Sequence, residues 1–218
     1  HKGLPLQYLT CTQDFYGREL YVNTSVLIPR PETEGLVELA LEKLNSIPKA
    51  RGLEFGTGSG CISITMCIER PDLELVATEC SSEALDVACE NSKRYKLTNL
   101  NFLRVSETPH LWQYDDIHEL DFIISNPPYL LASDEIADDV KNHEPPEALY
   151  AQDDTGLGFY EFLKTLCLAK LKNGALGFFE VAHERAQATL ELFEKAGFVC
   201  ELRRDLPGKF RYLVVKKG

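Results

Sequence analysis

Asn126, Pro127, Pro128 and Tyr129 follow without a break on the apolar run LDFII, residues 120–124. That run, with its β-branched and aromatic side chains, predicts a buried strand. Pro127 and Pro128 cannot donate to a sheet ladder and fix their own φ, so the strand must stop before them. Each also pushes the residue before it, Asn126 and then Pro127, into an extended conformation. A stiff loop therefore presents an amide, backbone carbonyls and an aromatic ring at a strand end. Such a loop suits chemistry on a planar nitrogen. An amide or exocyclic amine is a poor nucleophile because its lone pair is delocalised into the adjacent π system. Acceptors that hold its N–H groups leave the nitrogen facing an electrophile, and the Asn126 side-chain carbonyl and Pro127 backbone carbonyl are two such acceptors. Tyr129 can pack on a flat substrate group. The plain alternative is a Pro-Pro turn capped by asparagine.

Two more strand ends carry candidate chemistry. In LEFGTGSGC (53–61), Gly56, Gly58 and Gly60 allow a tight turn and a close approach of ligand to backbone, ahead of a helix with free N–H groups. The spacing is GxGxG, with Cys61 where a dinucleotide fingerprint needs its third glycine, so a smaller ligand is favoured over a pyrophosphate. Glu79 ends the next strand and can accept hydrogen bonds from both hydroxyls of a ribose. Ser106 and Glu107, after the third strand, can contact an adenine edge. A structural turn, a solvated carboxylate and an ordinary loop are the plain readings of these three. A ligand carrying adenosine and a methylsulfonium, as S-adenosylmethionine does, would connect all of them to Asn126.

The elements that must position these ends alternate. Strands are predicted at 51–55, 73–79, 101–105, 120–125 and 175–181, with helices at 61–70, 81–96, 158–172 and 184–196. Ser81 or Ser82 has the chemistry of an N-cap. The tail FVCELRRDLPGKFRYLVVKK reads as two strands around a Pro-Gly turn, adding an antiparallel edge. This is an α/β pattern: a Rossmann-like, mostly parallel seven-stranded sheet with helices on both faces. Before it, residues 7–27 read as a β-hairpin around Tyr16-Gly17, followed by a helix from about Pro31 to Asn45. The division expected is an N-terminal segment, 1–30, and a catalytic domain, 31–218.

Composition bounds the partners. The chain has 218 residues, is 44% hydrophobic and carries a formal charge of −11. No apolar run approaches the ~18–20 residues that span a bilayer, so no membrane is expected. Acidity of this size argues against stable nucleic-acid binding. Seven cysteines without a CxxC pair suggest reduced thiols in a cytoplasmic protein and no metal site.

SNPPY (125–129), LIPRPETE (27–34) and HEPPEALYAQDDTGLGFY (143–160) together resemble the peptide chain release factor N(5)-glutamine methyltransferases. These are class I S-adenosylmethionine-dependent enzymes, and the resemblance runs from about Phe15 to the C-terminus. It implies methyl transfer from S-adenosylmethionine, leaving S-adenosylhomocysteine, to the glutamine of the release factor's Gly-Gly-Gln loop, which tunes translation termination. It places Gly56, Thr57, Gly58, Ser59 and Gly60 around the methionine end of the cofactor. Glu79 would bind the ribose, and Glu107 or Thr108 would lie by the adenine. Asn126 would touch cofactor and substrate, and Pro127, Pro128 and Tyr129 would complete the glutamine pocket.

Departures from that pattern are specific. Glu54 and Glu79 stand where the family usually has aspartate, Thr108 where an aromatic can flank the adenine, and EVAHER (180–185) differs from the usual sequence there. The roles of Glu180 and His183 are thereby left open, and a surface-charged helix start explains His183 better than catalysis does. The family's small helical N-terminal domain is expected to be missing, residues 1–30 being its remnant or linker, and a monomer is expected. Two other substrates stay open: a glutamine of a ribosomal protein, against which PETE argues, and adenine N6 of nucleic acid, which calls for base flipping and a basic channel. A degenerate fold that only binds nucleoside is the non-enzymatic alternative.

Overall fold

A computed structural model describes residues 3–218; residues 1 and 2 of the expected N-terminal segment lie outside the described residues. The chain opens with a short helix, α1 (Leu6–Thr10), then a hairpin of β1 (Thr12–Phe15) and β2 (Arg18–Tyr21) turning at Tyr16-Gly17. The hairpin is where the sequence places it, but α1 replaces the start of its first strand. Cys11 ends that helix in a left-handed conformation, its N–H bonded to the Gln7 carbonyl. Tyr8 is buried from it and donates its hydroxyl to the Val26 carbonyl at 2.6 Å. Next comes α2 (Pro31–Leu44), which starts on Pro31 with Glu32 and Glu34 in its first turn, as the dipole and the orphan N–H groups favour.

From there strands and helices alternate: β3 (Arg51–Phe55), α3 (Cys61–Glu69), β4 (Glu74–Glu79), α4 (Ser82–Arg94), β5 (Leu100–Arg104) and β6 (Leu120–Ser125). Ser81 is the N-cap of α4, accepting from the Ala84 N–H. Two short helices, α5 (Asp138–His143) and α6 (Pro146–Leu149), precede α7 (Gly158–Lys170), β7 (Leu171–Glu180), α8 (Ala186–Glu194), β8 (Val199–Arg204) and β9 (Phe210–Lys216). Among the described residues seven strands form one sheet in the order β5-β4-β3-β6-β7-β9-β8. All its pairs are parallel except those of β9, which runs antiparallel to both neighbours. The antiparallel strand is thus inserted one place inside the edge, and β8 is the edge.

One boundary moves. Asn173-Gly174 does not close α7; that helix stops at Lys170, and both residues lie within β7. Leu171, 3% exposed, pairs with Leu120, and the register then shifts before Phe122 meets Leu176. Burying Leu171 in the sheet outweighs the turn signal two residues later.

The sheet is covered on both faces, α2 and α3 over one and α7 and α8 over the other. The chain runs outward from β3 through β4 to β5, then returns to lay β6 on the other side of β3. The connections leaving the carboxyl ends of β3 and β6 therefore turn opposite ways, a topological switch point where open α/β sheets leave a crevice. Gly56–Gly60 follows one of those ends and Asn126 the other.

Candidate active site

The loop after β3 is built on its glycines. Gly56, Gly58 and Gly60 have φ of +71°, +53° and +82°, the left-handed region in which a Cβ is strained. A Cβ on Gly60 would also fall 2.7 Å from Ile64 Cδ1, whereas Gly56 and Gly58 face open space. That space is a cavity of about 550 Å³ walled by the ends of β3, β4 and β6, within the range that small-ligand sites occupy.

Two carboxylates face it from neighbouring strands. Glu54 is 1% exposed; its Oε2 accepts the Thr57 hydroxyl at 2.6 Å, and among the described residues its Oε1 has no partner. Burial pushes its pKa up to about 7, against the lowering effect of the Thr57 hydrogen bond. A buried, half-satisfied carboxyl suits a cationic or N–H-bearing ligand. Glu79 accepts from the backbone N–H of Gly58, Cys80 and Ser81 at 2.8–3.1 Å. Those three bonds leave about one of the four acceptor positions a carboxylate offers.

The loop after β6 stands opposite. Ser125 donates to the Phe55 carbonyl at 2.7 Å, locking the end of β6 to that of β3. Asn126 and Pro128 line the large cavity and also a second one, of about 300 Å³, which Pro127, Tyr129, Ile136 and Val140 help to wall. The Asn126 Nδ2 donates to Thr33 Oγ1 at 3.3 Å, and Thr33 Oγ1 donates to Glu180 Oε2 at 2.8 Å. Tyr129 donates its hydroxyl to the other oxygen, Glu180 Oε1, at 3.3 Å. Burial and the adjacent Glu180 raise the Tyr129 pKa far above the usual phenol range, so this hydroxyl keeps its proton.

Further contacts draw distant segments together. Arg30 lines both cavities and pairs with Glu144 at 2.5 Å, and Glu144 also accepts the Ile28 N–H at 3.1 Å. The Tyr129 carbonyl accepts from Arg185, itself paired with Asp134.

The structure gathers most of the residues the sequence nominates. Glu54, Gly56, Thr57, Gly58, Ser59, Glu79, Glu107, Asn126 and Pro128 line the larger cavity, and Pro127 and Tyr129 the smaller. Gly60 sits just behind, as the N-cap of α3. Thr108 is outside both walls, its carbonyl accepting the Ser106 hydroxyl within the loop. His183 also stands apart, with Nδ1 accepting the Phe210 N–H. Sequence reasoning did not single out Arg30, Thr33, Cys61 and Glu144 for the site. The first two lie inside the quoted LIPRPETE, whose unusual density of charge and proline was their signal.

The sheet order, the glycine loop at its switch point and the Asn-Pro-Pro-Tyr loop beside it define a class I methyltransferase. A family model described as the Methyltransferase small domain matches residues 36–142. Release factor glutamine methyltransferases from Streptococcus pneumoniae and Flavobacterium psychrophilum are 38% and 35% identical, each alignment covering 75% of the relative and 98% or 97% of this chain. The chain belongs to the release factor glutamine methyltransferase family. A solved release-factor-specific protein-(glutamine-N5) methyltransferase from Alicyclobacillus acidocaldarius superposes with a TM-score of 0.53 at 27% identity, covering 91% of this chain and 99% of that one. A Pyrococcus furiosus methyltransferase, at 18% identity and a TM-score of 0.68, shares the fold.

Proposed function

We propose that this enzyme methylates the side-chain nitrogen of the glutamine in the Gly-Gly-Gln loop of a peptide chain release factor, using S-adenosylmethionine. The observation that carries the reading is Asn126, placed where the two cavities meet. The larger cavity fits the cofactor in its chemistry: a partnerless buried Glu54 oxygen for a cationic amino group, left-handed glycines that admit a ligand against the backbone, and Glu79 for a ribose. Glu107, on the wall of the same cavity, is the residue we assign to the adenine edge. Bound there, S-adenosylmethionine supplies an electrophilic methyl on a sulfonium. The chain's own residues do the rest. Asn126 Oδ1 and the Pro127 carbonyl accept the two N–H groups of the glutamine amide and hold its nitrogen toward the larger cavity. Pro127 and Pro128 keep those acceptors from moving, and Tyr129 packs against the amide plane. Positioning supplies the rate. No strong base is needed first, because the nitrogen loses a proton to water after the C–N bond forms.

Residues 31–218 are the catalytic domain in this reading. Residues 1–30 are the N-terminal segment, whose described part docks through Tyr8, Val22, Val26 and Ile28 against Ala84 and Val87 of α4. The test is transfer of labelled methyl to a bacterial release factor, with a ribosomal-protein fraction and duplex DNA as rival acceptors. Asn126→Ala is expected to lower kcat by about 10²-fold or more while the protein still binds S-adenosylhomocysteine. Methyl on DNA, or an undiminished variant, would overturn the proposal.

A further inference from the structure

The side-chain amide of Asn126 must present its oxygen, not its nitrogen, to an amide substrate. Nothing in Asn126 alone fixes that choice, since the two ends of the amide are alike in shape and opposite in hydrogen bonding. We infer that Thr33 and Glu180 are positioning residues that set the sense of the Asn126 amide, and with it the enzyme's preference for glutamine over glutamate.

The polarity runs in one direction. Glu180, 2% exposed at the end of β7, accepts one hydroxyl on each oxygen: Thr33 on Oε2 and Tyr129 on Oε1. Two converging donors are the pattern of an ionised carboxyl, which only accepts. Burial raises the Glu180 pKa, while the hydrogen bonds and the nearby Arg211 guanidinium oppose that rise. Thr33 has one hydroxyl proton, and it is committed to Glu180. The oxygen of Thr33 can then only accept from Asn126, so the group facing it must be the NH2, as its 3.3 Å contact has it. Asn126 Oδ1 is left for the cavity. A carbonyl there accepts from an amide N–H and repels a carboxylate. Through Tyr129, the same Glu180 holds the ring on the wall of the smaller cavity.

The chain of contacts is built rather than incidental. Thr33 is 2% exposed in the first turn of α2, and Glu180 lies 147 positions away. α2 is brought close to the sheet at this point: a Cβ on Gly35 would fall 2.3 Å from the Tyr212 hydroxyl, which donates to the Glu32 carbonyl at 2.7 Å.

This inference rests on the proposed glutamine substrate, so its test has one arm that needs no substrate. Thr33→Val keeps the shape and removes the hydroxyl; Thr33→Ser restores it. In the protein without release factor, hydrogen exchange of the Asn126 side-chain NH2, followed by NMR, is expected to accelerate at least tenfold in Thr33→Val and to stay within threefold of wild type in Thr33→Ser. With release factor, Thr33→Val is expected to lose at least tenfold in kcat, with KM for S-adenosylmethionine changed less than threefold and Thr33→Ser close to wild type. It should also narrow the binding preference for the natural loop over one carrying glutamate in place of the glutamine. Unchanged exchange in Thr33→Val, or Thr33→Ser behaving like Thr33→Val, would overturn the relay. A wild-type protein that leaves the factor unmethylated while the exchange arm behaves as expected would overturn the substrate and leave the relay standing.

Discussion

Glu54 carries its proton to about pH 7 in the fold, against an ordinary value of 4.5, because burial costs the charged form more than its hydrogen bonds return. Between those two values the folded state binds more protons than the unfolded chain. Its contribution to stability is therefore fully present below about pH 4.5 and is lost as pH rises through about 7, a difference of about 3 kcal/mol. A cationic ligand against the free Oε1 reverses the preference by favouring the carboxylate. S-adenosylmethionine is thus expected to bind more tightly at pH 8 than at pH 6 and to release a proton on binding near pH 7. Calorimetry in buffers of different ionisation enthalpy measures that proton directly. Glu54→Gln should abolish both the release and the pH dependence, and a proton-neutral association in the wild type would contradict the placement of the cation at Glu54. The backbone beside it is equally constrained. Gly58→Ala, at a φ of +53°, is expected to cost about 1–2 kcal/mol in urea unfolding from conformation alone.

At the scale of elements, the site is a set of chain ends that the sheet alone would not hold together. The Arg30–Glu144 pair joins the segment entering α2 to the end of α5, and its Arg30 lines both cavities. Arg30→Ala leaves the buried Glu144 carboxyl with only the Ile28 N–H. Because Arg30 is about a third exposed, the expected loss is about 1–3 kcal/mol, below that of a fully buried pair. Urea unfolding measures it, and a loss under about 0.5 kcal/mol would show that the clasp is ornamental. The alternation of β3 to β6 was legible because β3 runs into Gly56, β4 follows Pro71 and β6 runs into the Pro127-Pro128 pair, and the helices between carry a cap or periodicity of their own. The site ends were legible for the same reason: Gly56–Gly60 and Asn126–Tyr129 are local departures from an apolar run. What was not legible depends on distance along the chain. Thr33 reads as an ordinary first-turn residue until β7 brings Glu180 beneath it. Residues 130–157 carry few periodic apolar positions; besides the short helices α5 and α6 they hold an isolated Leu130–Tyr150 bridge and Asp153, which accepts the Thr155 and Gly158 N–H groups ahead of α7. At α1, the burial of one side chain, Tyr8, decides helix over strand, and no five-residue pattern reports that.

For the whole molecule, the charge of −11 is the property that acts at a distance. A release factor works against RNA and must carry basic surface, so an acidic enzyme would attract it before contact. Raising ionic strength from about 50 to 500 mM is then expected to lower kcat/KM for the factor several-fold and leave kcat unchanged, since the field acts on encounter and is screened within about 10 Å at 0.1 M salt. A kcat/KM indifferent to salt would assign the acidity to solubility. Among the described residues no helix is long and apolar enough to cross a membrane. The atom that receives the methyl decides the function. Tandem mass spectrometry of a bacterial release factor, after incubation with this protein and S-adenosylmethionine, locates that atom. One methyl on the side-chain nitrogen of the Gly-Gly-Gln glutamine, and on no other residue, is the predicted result. A factor left unmodified by a protein that demonstrably binds the cofactor, or a methyl on any other residue, would contradict it.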